Sequence, residues 1–192
     1  MSQQKICFIG AGNMTRSIIS GLVKSGYPAQ LIQATNPSQG KLDALQADLG
    51  ILVSQDNLAA AQTADVIVLS VKPQLMQQVC EALQTVDMSK KLVITIAAGI
   101  KAQRYTDYLA QNITLIRAMP NTPMQIGVGM TGLYAPQAIS SIQKAICDRL
   151  KSSGGEIVWV NEESELDQVI ALSGSSPAYF FLLMESMIDA GK

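Results

Sequence analysis

Short apolar runs alternate with amphipathic stretches from residue 5 to about residue 160, and this alternation predicts a β/α fold. Ile6-Cys7-Phe8-Ile9 is apolar throughout and bounded by Lys5 and Gly10, so it reads as a buried strand. Ile18, Ile19, Leu22 and Val23 then form a helical stripe that Gly26 ends. Residues 31–35 read as the second strand, residues 39–48 as a helix and residues 51–53 as a short strand. Asn57 opens a small helix, as its N-cap or as a group near a bound ligand. Residues 66–69 form a β-branched run suited to a parallel strand covered on both faces. Pro73 stops that strand and starts a helix carrying Leu75, Val79, Cys80 and Leu83. Strands at 92–96 and 113–117 flank a helix at 102–110. Residues 128–134, a helix bearing Ile139, Ile142, Ile146 and Leu150, and residues 157–160 complete this region.

At Asn161 the pattern becomes helix only. Asn161 is placed to cap a helix with Leu166, Val169 and Ile170 on its apolar side. Ser173-Gly174-Ser175-Ser176-Pro177 predicts a break, with Ser176 as N-cap and Pro177 as the first residue of a new helix. That helix carries Phe180, Phe181, Met184, Met187 and Ile188, and only Glu185 and Asp189 as charges before its end. Both its faces are too apolar for a solvated helix. The expected organisation is a Rossmann-type, mostly parallel sheet with helices on both faces over residues 1–160. Residues 161–192 would be the first helices of an all-α domain that is incomplete here or completed by another subunit.

Composition narrows the functional classes. With 48% hydrophobic residues the chain can build a sizeable core. A net charge of −1 argues against electrostatic capture of nucleic acid or an anionic membrane. No apolar run approaches the roughly 18 residues of a membrane span. Met1-Ser2-Gln3-Gln4 leads straight into a strand without a signal-peptide pattern, so a cytoplasmic location is expected. Cys7, Cys80 and Cys147 lie far apart in apolar stretches and read as small buried hydrophobes. The absence of histidine excludes His-based triads and His-ligated metals, and no metal site is expected.

The candidate chemistry gathers at strand ends. Gly10-Ala11-Gly12-Asn13-Met14 joins a strand to a helix as in a dinucleotide fingerprint. There Gly10 allows a tight turn, Gly12 lets backbone approach a pyrophosphate, and the helix from Asn13 points its free N–H groups at it. The third position of the fingerprint is Thr15 rather than Gly or Ala. The turn after the second strand, Asn36-Pro37-Ser38, lies where a ribose is read. It holds no acid to bind a 2′-OH and repel a 2′-phosphate, which favours NADP over NAD, with Lys41 as a nearby cation. Simple helix capping by Ser38 is the alternative role. Ser70-Val71-Lys72-Pro73 and Ala97-Ala98-Gly99 end two further strands; the small residues leave room for a flat ring or for close packing. Met119-Pro120-Asn121-Thr122-Pro123 forms a stiff loop suited to fixing a reacting ring.

Together, Phe8-Ile9-Gly10-Ala11-Gly12-Asn13-Met14, Ser70-Val71-Lys72-Pro73, Ile96-Ala97-Ala98-Gly99, Ile116-Arg117-Ala118-Met119-Pro120-Asn121-Thr122-Pro123 and Leu172-Ser173-Gly174-Ser175-Ser176-Pro177-Ala178-Tyr179 resemble pyrroline-5-carboxylate reductases. The resemblance implies reduction of the C=N bond of 1-pyrroline-5-carboxylate to L-proline with NADPH, the last step of proline biosynthesis, in a homo-oligomer built through the helical domain. It places the cofactor turn on Gly10, Ala11, Gly12, Asn13 and Met14. It places adenosine and 2′-phosphate contacts on Asn36, Ser38 and Asn57, and nicotinamide-side walls on Val71, Lys72, Pro73, Ala97, Ala98 and Gly99. Met119, Pro120 and Asn121, with Ser175 and Ser176 at the expected helix start, border the substrate.

The resemblance implies no catalytic side chain, because a protonated imine is already electrophilic and positioning does most of the work. Two departures are Thr15, where the family often has a small residue, and a Gly-Gly-Thr-Thr substrate loop of the family that is not found up to Lys192. Two alternatives remain. One is a β-hydroxyacid dehydrogenase, whose usual proton-transfer lysine or histidine is not found among Asn161, Glu162, Glu163 and Glu165. The other is a module that binds NADP without turnover.

Overall fold

The computed structural model describes residues 4–192, apart from the side chains of 150–153; Met1, Ser2 and Gln3 and the Leu150 side chain lie outside it. One sheet of eight strands runs in the order β3-β2-β1-β4-β5-β6-β7-β8. The strands are β1 (Ile6–Ile9), β2 (Ile32–Thr35), β3 (Leu52–Ser54), β4 (Val66–Leu69), β5 (Leu92–Thr95), β6 (Thr114–Met119), β7 (Gly129–Tyr134) and β8 (Gly155–Trp159). Strands β1 to β6 pair in parallel; β7 turns antiparallel to β6, and β8 follows β7 in parallel.

Side-chain alternation divides the core into two layers. Phe8, Ile32, Val68, Ile94 and Ile116 face one side, packed with Ile18, Ile19 and Leu22 of α1 (Asn13–Lys24). Cys7, Ile9, Ile67, Leu69, Val93 and Leu115 face the other. That second layer is covered by α3 (Asn57–Thr63), α4 (Met76–Glu81) and α5 (Ala102–Leu109). Helices α2 (Gln39–Leu49) and α6 (Ser141–Gly154) add Leu42, Leu45 and Cys147 to the first layer. Burying both faces of the parallel strands accounts for their near-continuous apolar runs.

Several expectations are corrected. Pro73–Leu75 is a 3-10 turn, and the helix proper starts at Met76. The tighter turn changes the phase, so Met76 is buried and Leu75 is exposed. Strand β6 runs on to Met119, two residues beyond the expected end at Arg117. Asp56 caps α3, its carboxylate accepting from Ala59 N–H, so Asn57 is the first residue of that helix rather than its cap.

Asn161 does not cap α7 (Glu165–Val169); Ser164 takes that place, and Glu165 Oε2 instead accepts the Asn161 and Glu162 amides. The break expected at residues 173–177 is absent. Helix α7 runs through a π-helical turn, Ile170–Ser175, into α8 (Ser176–Ala190). Backbone at Val169, Ser175 and Ser176 is right-handed helical, so Ser176 is no N-cap. Pro177 is tolerated because widening to a π turn absorbs the missing amide. Helix α7 rests on β7 at Gly132, where a β-carbon would come within 2.9 Å of Val169 Cγ1 and 3.1 Å of Leu166 Cδ2. No helix among the described residues is long and apolar enough to cross a membrane.

Candidate dinucleotide and substrate site

The carboxyl ends of β2, β1, β4 and β5 are stitched into one edge. Gly10 N–H donates to Thr35 O at 2.9 Å, Ser70 N–H to Ile9 O at 2.9 Å, and Ile96 N–H to Leu69 O at 3.2 Å. The sheet order reverses direction between β1 and β4, which is where doubly wound sheets open a ligand crevice. Segments 10–14, 36–38, 71–73 and 97–99 therefore converge on one edge.

Gly10 has φ +113°, and a β-carbon there would lie 2.6 Å from Ser70 O, so only glycine fits. Ser70 completes the turn: its hydroxyl donates to Ile9 O at 3.0 Å and to Gly10 O at 3.1 Å. Sequence reading placed Ser70 in a motif but gave it no role. Gly12 is the opposite case, since a β-carbon at its position meets nothing within 4 Å. It caps α1 without a side chain, and no acid stands in the first turn. Exposed amides and open space thus meet at Gly12 and Asn13, as an anionic pyrophosphate requires. Ala11 is buried beneath the turn and Met14 is half-buried.

Beyond β2, Asn36 Nδ2 donates to Ser38 O at 3.3 Å and Gln55 Nε2 donates to Pro37 O at 2.8 Å, fixing the turn. Asn57 Oδ1 accepts from the buried Thr35 hydroxyl at 2.6 Å, anchoring the side chain at the same edge. Ser38 is the N-cap of α2, yet its hydroxyl makes no capping bond. The first turn of α2 contains no acid and carries the exposed Lys41. An exposed hydroxyl, an uncapped helix start and a cation thus gather at this turn, a combination that suits an anionic group.

On the other flank, Val71 is half-buried and Lys72 and Pro73 are exposed. Ala97 is buried, while Ala98 and Gly99 face outward, Gly99 with φ +77°. Polar groups bracket this segment. Ala97 N–H donates to Thr95 Oγ1 at 3.3 Å, and that hydroxyl pairs with Tyr105 OH at 2.7 Å. At the far end Ala102 N–H donates to Glu163 Oε1 at 2.6 Å. The same carboxylate oxygen accepts from Arg117 Nη1 at 2.7 Å. Arg117 and Glu163 were not expected to meet, because 46 residues separate them. Burial pushes the Tyr105 hydroxyl up to about 12, so it stays neutral in this cluster.

Met119 and Asn121 are buried and Pro120 half-buried at the end of β6. The loop reaches the helical segment, since Asn121 Nδ2 donates to Ser173 O at 2.9 Å. Ser175 and Ser176 are half-buried in the π turn and the start of α8. The structure thus brings the 119–121 loop and the 173–176 turn together. It does not supply the free helix start expected there.

Comparison with known proteins decides the family. A pyrroline-5-carboxylate reductase from Vibrio alginolyticus is 54% identical over 187 residues, which are 97% of this chain and 69% of that protein. This chain belongs to the pyrroline-5-carboxylate reductase family. The family model described as pyrroline-5-carboxylate reductase dimerisation matches residues 163–192. The one described as NADP oxidoreductase coenzyme F420-dependent matches residues 5–99. A solved pyrroline-5-carboxylate reductase from Coxiella burnetii superposes with a TM-score of 0.90 at 39% identity, covering 99% of this chain and 71% of that one. A Plasmodium falciparum pyrroline carboxylate reductase with NADP bound superposes with a TM-score of 0.86 at 27% identity, covering all of this chain and 70% of that one. The fold is therefore a Rossmann-type sheet leading into the helical region of this reductase family.

Proposed function

We propose that this chain performs the reaction of its family, reducing 1-pyrroline-5-carboxylate to L-proline with NADPH. The observation that carries the reading is the open, acid-free cradle at Gly12 in a chain 54% identical to a pyrroline-5-carboxylate reductase. NADPH, when bound, supplies the hydride that reduces the C=N carbon. Gly10, Ala11, Gly12, Asn13 and Met14 would hold the pyrophosphate with backbone amides. Asn36, Ser38 and Asn57 would hold the adenosine ribose and its 2′-phosphate, with Lys41 adding charge. Val71, Lys72, Pro73, Ala97, Ala98 and Gly99 would wall the nicotinamide side, and Met119, Pro120, Asn121, Ser175 and Ser176 the substrate side.

No side chain need donate a proton to the substrate nitrogen, because that nitrogen is already protonated in the imine that takes the hydride at carbon. The chain contributes orientation and exclusion of water. This supports a division at about residue 160, with residues 1–160 serving the cofactor and 161–192 the substrate and self-association. The exposed apolar residues of α8, among them Phe180, Phe181 and Met187, are the surface proposed for a second subunit.

The test is proline formation from pyrroline-5-carboxylate, followed with NADPH and with NADH. NADPH-dependent proline formation is expected, with a higher kcat/KM for NADPH than for NADH. NADPH binding without proline formation would refute the reductase assignment. Preference for NADH would refute the assignment of the 36–38 turn.

A further inference from the structure

Asn121 stands at the crevice, yet protein occupies both ends of its amide. Oδ1 accepts the Met130 N–H at 2.9 Å, and Nδ2 donates to the Ser173 carbonyl at 2.9 Å. The residue is 7% exposed. The second bond has a cause in the sequence. In an α-helical register the Ser173 carbonyl would be served by the amide of residue 177, and Pro177 has no N–H. The turn is held open by further local bonds, Ser173 Oγ to Val169 O at 2.8 Å and Ser176 Oγ to Ala171 O at 2.9 Å. A carbonyl released by proline on one element is thus taken by an amide on another.

We propose that Asn121 is a positioning residue for the reduction, setting the proline-opened turn, and with it Ser175 and Ser176, in register with the 119–121 loop. This rests on the substrate-side assignment above. The helical segment is attached to the sheet by polar ties at two places named above. Glu163 joins it to Arg117 and to the start of α5, and Ser173 joins it to Asn121. Only the second tie lies next to the proposed substrate contacts. Its loss leaves the glycine turn, the bonds at 97–102 and the Arg117–Glu163 pair in place. The cofactor should therefore still bind, while the distance and angle between the two reactants relax.

The test combines steady-state kinetics, NADPH titration and thermal unfolding on three variants. Asn121→Ala should lower kcat by about 10²-fold with NADPH affinity changed less than about twofold, as expected for a lost orientation rather than a lost binding contact. Asn121→Asp keeps the acceptor for Met130 N–H but turns an oxygen toward the Ser173 carbonyl. It should show the same loss of kcat, and it carries the test should Asn121→Ala not fold.

In Asn121→Ala/Pro177→Ala the helix regains its own donor for the Ser173 carbonyl. Thermal stability should recover in part, the Met130 N–H still lacking its acceptor, while kcat stays low, because the turn is satisfied but no longer attached to the loop after β6. Parental kcat in a folded Asn121→Ala, or recovery of kcat in the double variant, would overturn the positioning role. A parent protein that binds NADPH and forms no proline would instead refute the proposed function, and this role with it.

Discussion

Gly12 and Thr15 sit three residues apart in one turn and differ in what they tolerate. A β-carbon at Gly12 has no protein atom within 4 Å, and the backbone there is extended, so Gly12→Val should fold normally. Its side chain would fill the pyrophosphate space, and NADPH binding should be lost in a titration of the folded variant. Thr15 is fully buried, and its Oγ1 has no hydrogen-bond partner among the described residues. Leaving a buried hydroxyl unpaired costs roughly 1–3 kcal/mol. Thr15→Val, of nearly the same shape, should raise stability by about 1 kcal/mol in denaturant unfolding, with NADPH affinity unchanged. The departure from Gly or Ala was visible in the sequence; its energetic cost was not, because that depends on what surrounds Oγ1.

At the scale of elements, strands β1, β4 and β5 were legible because both their faces are covered and the apolar runs are unbroken. The misread elements are those where a local signal met a distant partner. Ser176-Pro177 has the form of a helix start, yet a sheet loop supplies a donor to the Ser173 carbonyl and the helix runs on. Leu75 fits a helical stripe, yet it closes a 3-10 turn that leaves it facing outward. Of the site, the glycine turn and the strand-end loops were legible from short spacings. The cluster of Arg117, Glu163 and the Ala102 amide was not, since its members come from three elements far apart in sequence. Arg117 is 5% exposed, so removing its carboxylate partner Glu163, the only one among the described residues, leaves a buried cation. Breaking a fully buried pair costs about 3–5 kcal/mol, and Glu163, being partly exposed, should cost nearer 2. Urea unfolding of Glu163→Ala measures this, and Lys192, in a fully solvated pair with Asp189, provides the control: Lys192→Ala should change little.

Two predictions belong to the whole molecule. Cys7, Cys80 and Cys147 are buried in the two core layers, and burial pushes each thiol from 9.0 up to about 12. Because the folded values lie above the unfolded ones, the stabilisation is fully present below pH 9 and is lost as pH rises toward 12. Each thiol should remove up to about 1.4 kcal/mol per pH unit in that window, with Tyr105 adding to the fall above pH 10. Melting temperature measured from pH 8 to 11 should therefore hold up to 9 and then drop steeply. The second concerns α8, where Phe180, Phe181 and Met187 are each more than 60% exposed. Burying one such side chain is worth about 1.5–3 kcal/mol, so the face should associate with a second copy. Phe181→Asp should shift sedimentation toward monomer without changing the melting of the sheet domain.

The place of β1 in the sheet bears on how the molecule comes into being. Among the described residues the first strand in chain order, β1, is an interior one, lying between β2 and β4. Its glycine turn is closed by Ser70, 60 residues after Gly10. Until that length of chain has been made, Gly10 and Gly12 are present but unsupported, and no crevice exists for them to line. The nascent chain must close a long loop before this part of the fold gains anything from it, which makes the pairing of β1 with β4 a natural slow step in folding. A dinucleotide that binds across this junction would favour the paired state by mass action, so the coenzyme should hold the matured protein in its folded form.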